Sequence, residues 1–374
     1  MEQDSFTEAG VPHPRGTWFA PSLNRIVAPG ALLSTLAAKP VVLLGETHDR
    51  AEIHRWQMHV AAALHARQPN MAIGFEMFPR RLQPVLDRWV AGLLDTETFL
   101  VEAEWFDVWN FDPEIYLPLF HFCRQNRVPM LALNCYRQLV SRVRREGWAA
   151  IPEAERDGLT PPAPATDAYR RYLQAVVGSM PGRHAPPEMD ERFDGFVAAQ
   201  QTWDRAFAVN IHRALRRPDP PLVVGIIGRG HLEFGHGTPY QLRDLGVHDM
   251  AVLVTCRPGD DPAKALAPGI ADAVFHIDDV EPASPRPPRA GLRWKVGDGS
   301  LSIASIREKS PASRTGLQPG DRVTAIADRP VTTIMDAEEI LRRMPTGARF
   351  AIVIRREAAT HEFLIWLQSD PPTR

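Results

Sequence analysis

Cysteine is scarce in this 374-residue chain and poorly placed for pairing. There are three, Cys123, Cys135 and Cys256, without CxxC or other metal-ligand spacing, which excludes a disulfide framework. No apolar run approaches the ~18 residues of a membrane span, so no spanning helix is expected. Neither sign of charge is in excess: 43 Lys plus Arg stand against 45 Asp plus Glu, a formal net charge of -2, which removes the electrostatic footprint of a nucleic-acid-binding protein. Lysine contributes only Lys39, Lys264, Lys295 and Lys309, a bias towards arginine from which no function follows. The opening residues MEQDSFTEAGVPHPRG lack a basic region, an apolar core and an early cysteine for lipid attachment. The expectation is a cytoplasmic protein as written, or a periplasmic or membrane-anchored one if the true start lies upstream. HExxH, GxSxG and GxxxxGK are all missing, and GRGHLEFG lacks the glycine spacing of a dinucleotide fingerprint, so no nucleotide cofactor is expected.

What is present is an ordinary globular composition, 44% hydrophobic and 24% charged, at a length that favours two domains. Apolar runs at Val41–Leu44, Met71–Phe75, Met130–Leu133, Leu222–Ile227 and Ala251–Thr255 read as buried parallel strands. Helical spacing lies between them: Ile53, Trp56, Val60 and Leu64 in Glu52–Arg67, then Leu86, Val90 and Leu93 in Leu82–Leu94, and Ile115, Leu119 and Phe122 in Pro113–Arg127. This alternation predicts an α/β domain over residues 1–281, a central mostly parallel sheet flanked by helices. Prolines interrupt the pattern over about 146–190, which reads as a lid-like excursion around a short helix near Tyr169–Val177. A long apolar helix follows at Arg192–Leu215. The stretch Glu281–Arg289, EPASPRPPR, predicts a stiff linker over 282–288. Residues 289–370 then form a smaller β-rich unit with one helix near Asp336–Met344.

In open α/β sheets ligands bind beyond the carboxyl ends of the strands. Chemistry-bearing residues gather there: Glu46 and His48 after the first strand, Glu76 after the second, Asn134 after the third, Arg229 and His231 after the fourth. Capping is the plainer role for some of them, Thr47 or Asp49 for the helix near Ala51 and Asn134 for the helix near Arg137. An Arg229–glutamate pair would equally satisfy one carboxylate without any chemistry. Glu46, His48, Glu76 and His231 together suit a divalent transition metal (Zn, Mn, Fe or Co) with an open position for water, or a metal-free His/Glu base. His54 and Gln57, one turn apart on the next helix, are placed to face the same cleft.

Val42-Leu43-Leu44-Gly45-Glu46-Thr47-His48-Asp49 with His54 and Gln57, then Gly74-Phe75-Glu76-Met77-Phe78, Leu131-Ala132-Leu133-Asn134, Gln201 with Trp203-Asp204, and Gly228-Arg229-Gly230-His231 with Gly235, Gly237 and Pro239 resemble the ChaN family. These are haem-binding proteins of the wider Tiki, TraB and erythromycin-esterase superfamily. The resemblance covers residues 16 to 280. It implies a mixed α/β fold, haem or iron binding, and a cleft that includes His54, Gln57, Asn134, Arg229, Gln201 and Asp204. Tyr136, Tyr169 and Tyr172 are candidate axial ligands, as are the histidines, and the excursion after residue 150 is placed to cover a porphyrin. Metal-dependent proteases and esterases in the same superfamily imply the alternative, a hydrolase using Glu46, His48, Glu76 and His231.

Further on, Arg289-Ala290-Gly291-Leu292, Ser310-Pro311-Ala312 and Thr315-Gly316-Leu317-Gln318-Pro319-Gly320-Asp321-Arg322-Val323 resemble a bacterial PDZ domain of the kind attached to HtrA-like proteases. That resemblance implies an extended peptide or protein C-terminus as partner, its carboxylate held by the loop Ala290, Gly291, Leu292 and Arg293. A groove filled by the chain's own residues is the plainer alternative. The remaining expectations are a possible homodimer, no nucleic acid and no membrane span.

Overall fold

The structure, a computed structural model, describes residues 13–109, 111–179, 191–278, 290–297, 299–342, 344, 347–357 and 359–367. The 282–288 linker, residue 289 and the 180–190 part of the excursion lie outside the described residues. The chain divides into two compact units, Met1–Glu281 and Pro282–Arg374.

The first unit is built on an eight-stranded sheet. Its strands are β1 (Trp18–Ala20), β2 (Arg25–Val27), β3 (Val41–Glu46), β4 (Met71–Pro79), β5 (Met130–Asn134), β6 (Leu222–Gly228), β7 (Met250–Cys256) and β8 (Ala273–His276). Their order across the sheet is β2-β1-β8-β7-β3-β6-β4-β5. All neighbours from β8 to β5 are parallel, whereas β1 runs antiparallel to both β2 and β8. Every residue of β3, β4 and β6 is buried, as helices on both faces require. The five apolar runs became β3 to β7. The three short strands at the other edge were not expected, since three or four residues carry too little periodicity to read.

The helices follow their apolar stripes. Ala51–His65 buries Ile53, Trp56, Val60 and Leu64, and Glu191–Leu215 passes through the core, with Phe207 and Ile211 fully enclosed. Helix Asp167–Ser179, in the excursion, packs Tyr169 and Leu173 against Phe193 and Val197. Among the described residues none of the excursion lines the cleft below, so the covering role expected of it does not appear there. Its apolar face is spent on helix Glu191–Leu215.

Two registers position the site. Glu46 stands beside Gly228 at the ends of β3 and β6. The pairing of β4 with β5 shifts register between Phe75 and Pro79, an irregularity that re-aims Glu76 at the end of the shared ladder.

The second unit is an antiparallel sheet of β9 (Leu292–Gly297), β10 (Ser300–Ile306), β11 (Arg322–Ile326), β12 (Arg329–Pro330), β13 (Arg349–Arg356) and β14 (Ala359–Trp366), ordered β14-β13-β11-β10-β9 with β12 on β11. Helix Ile334–Arg342 accompanies it.

Candidate functional site

Glu46 ends β3 with its carboxylate fully buried, which costs several kcal/mol unless paired. Its Oε1 accepts from His48 Nδ1 (2.8 Å) and from the Tyr116 hydroxyl (3.0 Å), and its Oε2 accepts from Gln57 Nε2 (3.3 Å). His54 Nδ1 lies 3.5 Å from Oε2 and 3.0 Å from Gln57 Oε1, while its Nε2 faces the His48 carbonyl. Burial pushes the Glu46 carboxyl up, but His54, the bond from His48 and the Tyr116 hydroxyl outweigh it and hold the group below its ordinary value. Burial pushes His48 down, and its bond to Glu46 and the nearby Glu76 more than reverse that. His54 and Gln57 therefore lie beneath the cleft as supports of Glu46.

A second carboxylate–histidine pair approaches from β6. His231 Nδ1 lies 2.8 Å from Asp204 Oδ1, on the long helix, and Asp204 also accepts from Tyr169 (2.7 Å) and Thr238 (3.2 Å). Burial lowers the His231 pKa, but the Asp204 charge and hydrogen bond, with Glu76, raise it to about 9. Because the folded value exceeds the unfolded one, charged His231 stabilises the fold fully below about pH 6.5, and that contribution is lost as pH rises through about 9. The ring protons of His231 should titrate near pH 9 by NMR, and Asp204→Asn should bring the midpoint down by more than a unit. Titration of the wild type in the ordinary histidine range would contradict the pairing.

Glu76 sits between the pairs. Its Oε2 accepts from the Gly228 amide (2.5 Å), and its Oε1 lies 3.8 Å from His231 Nε2. Position 228 tolerates no side chain: a Cβ there would meet His48 Cε1 at 2.9 Å and Glu76 Oε2 at 3.3 Å. Asn134 donates to the Glu76 carbonyl (2.8 Å) and accepts from the Cys135 amide, tying β5 to β4 rather than capping a helix. Helix Ala51–His65 likewise starts after Arg50 with no side-chain cap from Thr47 or Asp49, and helix Arg137–Glu146 has none either.

These groups border a cleft of about 550 Å³. His48, Glu76, His231 and Asn134 lie along it, Met77, Trp109, Phe111 and Trp203 supply apolar wall, and Arg81, Tyr136 and Arg137 line it as well. His48 packs edge-on against Trp109 with centroids 4.7 Å apart. Arg81 is paired with Glu104. Tyr116, Trp109, Phe111 and Arg81 went unread in the sequence. Tyr116 alone left a signal, because a buried tyrosine hydroxyl needs a partner.

Several expected cleft residues lie elsewhere. Arg229 turns to Glu233 (2.5 Å) and the Thr255 carbonyl, not to Glu46 or Glu76, because its turn sets a carboxylate four residues on. Gln201 donates to the Ala163 carbonyl (2.6 Å), and Asp204 stands behind His231. Of the three tyrosines, Tyr169 is buried on Asp204, and Tyr172 donates to Glu233 (2.8 Å). Tyr136 is exposed on the cleft, with no partner for its hydroxyl among the described residues.

The metal set expected at Glu46, His48, Glu76 and His231 does not form. Among the described residues no group of three or more His, Cys, Asp or Glu side chains is arranged to hold a metal ion. Glu46 is buried and committed to four neighbours, and Glu76 is bound to a backbone amide. The metal-dependent hydrolase reading finds no support in this geometry.

In the second unit, Gly291 (φ +83°) leaves no room for a Cβ, which would meet Ser310 Cβ at 2.1 Å. Asp321 accepts from the Gln318 amide (2.8 Å) and pairs with Arg356 (2.7 Å), which gives the PGD turn its purpose. Leu292 and Arg293 open the edge strand β9, paired to Ile306 and Ser305, with Ala290 and Gly291 just before them. Trp294 of that strand donates to Glu338 of the helix (2.7 Å).

A parallel α/β sheet with paired carboxylates and imidazoles at its strand ends, followed by a PDZ fold, defines a two-module protein. The chain belongs to the family described as haem-binding uptake, Tiki superfamily, ChaN, which matches residues 32–242, and a PDZ domain matches residues 302–356. Among solved structures it is similar to one titled "Cofacial heme binding to ChaN of Campylobacter jejuni", at 18% identity and TM-score 0.56, over 69% of this chain and 95% of that one. At 20% identity and TM-score 0.22 it also aligns with "HtrA-type protease AlgW with decapeptide", over 23% of this chain and 30% of that one, a likeness too slight to argue from. No curated protein matches the chain.

Proposed function

We propose that the first unit binds haem in the cleft at the ends of β3, β4, β5 and β6, with the Tyr136 phenol as axial donor, and that the PDZ unit receives an extended peptide. The observation that carries the haem reading is Tyr136: its hydroxyl stands free at a cleft walled by Trp109, Phe111 and Met77, while Tyr169 and Tyr172 are spent on carboxylates. The surroundings fit the group. Haem needs apolar walls, a donor for its iron and a cation for its carboxylates, and Arg137 lines the same cleft, where Arg81 is already paired with Glu104. When bound, haem supplies an iron centre for which a phenol is a known type of axial ligand. His48 and His231 are held by Glu46 and Asp204 and flank the porphyrin site as fixed hydrogen-bonding groups. The peptide reading rests on β9, an edge strand beside helix Ile334–Arg342, where a partner adds as a further strand.

A ligand that binds only the folded state raises its stability, by about 2.7 kcal/mol at a hundredfold excess over Kd. Haemin should therefore raise the melting temperature of the full chain progressively with concentration. An unchanged transition in the presence of excess haemin contradicts the reading.

A further inference from the structure

In the second unit, one side chain crosses the edge at which a partner strand would add. Among the described residues β9 pairs with β10 alone, with Trp294 opposite Ile303 and Val296 opposite Leu301. Directly paired residues share a face of the sheet, so Trp294 and Val296 stand on the side where Ile303 and Leu301 are fully buried. On β9 that side is left unfinished: Trp294 is half-buried and Val296 is 52% exposed. Arg293 and Lys295 alternate onto the other face and are exposed. The helix Ile334–Arg342 borders the opening and spends Ile334, Ala337, Ile340 and Leu341 on the core. Its half-buried Glu338 meets the strand instead, where Oε1 accepts from Trp294 Nε1 at 2.7 Å. A bond from an N–H to a carboxylate is stronger than one between neutral groups, and it fixes the indole across the groove.

We propose that Trp294 sets the specificity of this groove by filling the space a large terminal side chain would need, so that the unit takes protein C-termini ending in Gly, Ala or Ser. The inference rests on the peptide reading above. A peptide whose carboxylate lies at the loop Ala290–Arg293 runs along β9 from that end, and its last side chain comes beside Leu292 and Trp294. Backbone pairing to β9 gives affinity for any extended chain, and the indole decides which terminal residue is admitted. Leucine or phenylalanine there must break the bond to Glu338 and displace the ring, whereas alanine leaves both in place. Glu338 acts through Trp294 and is a positioning residue.

The test selects a display library of random peptides with free C-termini on the full-length protein. A recovered sequence is then synthesised with Ala, Leu or Phe as its last residue and titrated by fluorescence polarisation. The wild type should bind the Ala peptide about tenfold more tightly than the other two, the scale on which a filled apolar pocket discriminates. Trp294→Ala should remove that order, binding the Leu and Phe peptides at least as tightly as the Ala peptide. Trp294→Val, a residue suited to a strand, should do the same and guards against an unfolded alanine variant. Glu338→Ala releases the ring and should shrink the preference, whereas Glu338→Gln keeps an oxygen for the indole N–H and should retain it. Equal wild-type affinity for the three peptides, or tighter binding of Leu or Phe, overturns the proposal. So do Trp294 variants that keep the wild-type order, or that lose all three peptides alike, since the ring is then structural. If selection yields no peptide, or amidating the C-terminus leaves binding unchanged, the peptide reading itself fails, an outcome distinct from a wrong order of residues.

Discussion

Glu46→Ala is expected to destabilise the first unit by about 3–5 kcal/mol, because removing one member of a buried charged network leaves the others uncompensated. His48, His54, Gln57 and Tyr116 all converge on that carboxylate, and alanine answers none of them. Urea unfolding of wild type and variant measures the difference, with Glu46→Gln as the control that keeps the shape and the Tyr116 bond but loses the charge. The loss should depend on pH in a defined direction. Glu46 sits below its ordinary value of 4.5 in the fold, so its contribution is complete above that pH and is lost as pH falls through the folded value. The gap between wild type and variant should therefore narrow in acid. A loss under about 1 kcal/mol at neutral pH would show that the network is not coupled in this way.

Tyr136→Phe is expected to weaken haemin by about a hundredfold, close to 3 kcal/mol, while leaving the fold intact. The phenol stands on the exposed start of helix Arg137–Glu146 and bonds to nothing described, so phenylalanine removes only the oxygen. Tyr169→Phe and Tyr172→Phe should behave in the opposite way. Their hydroxyls satisfy Asp204 and Glu233, so each should cost about 1 kcal/mol of stability and change haemin affinity little. Equilibrium titration against all three variants separates the roles. Equal binding by Tyr136→Phe and wild type would move the axial donor elsewhere, with the half-buried His48 imidazole a second donor on the cleft.

The sheet was legible because β3, β4, β5, β6 and β7 are buried on both faces and so appear as unbroken apolar runs. The short strands β2, β1 and β8 at one side of the sheet were not, since they are only three or four residues long and β2, at the edge, is mostly exposed. Within the site, the strand-end rule brought Glu46, His48, Glu76 and His231 to one edge of the sheet. It could not tell a side chain that faces the cleft from one that supports it. His54, Gln57 and Asp204 occupy the supporting layer because their polar atoms are consumed by Glu46 and His231. That distinction depends on hydrogen-bond partners distant in sequence, such as the Tyr116 hydroxyl seventy residues from Glu46. The aromatic wall was equally hidden: Trp109 and Phe111 lie in a connection without periodicity, and only the fold brings them against His48.

The most direct test of haem binding at this cleft is a Soret titration of the full-length protein with haemin. A saturable band with a defined stoichiometry, lost in Tyr136→Phe and retained in Tyr169→Phe, is the predicted result. A spectrum that remains that of free haemin throughout, or a band that Tyr136→Phe retains in full, would contradict the account.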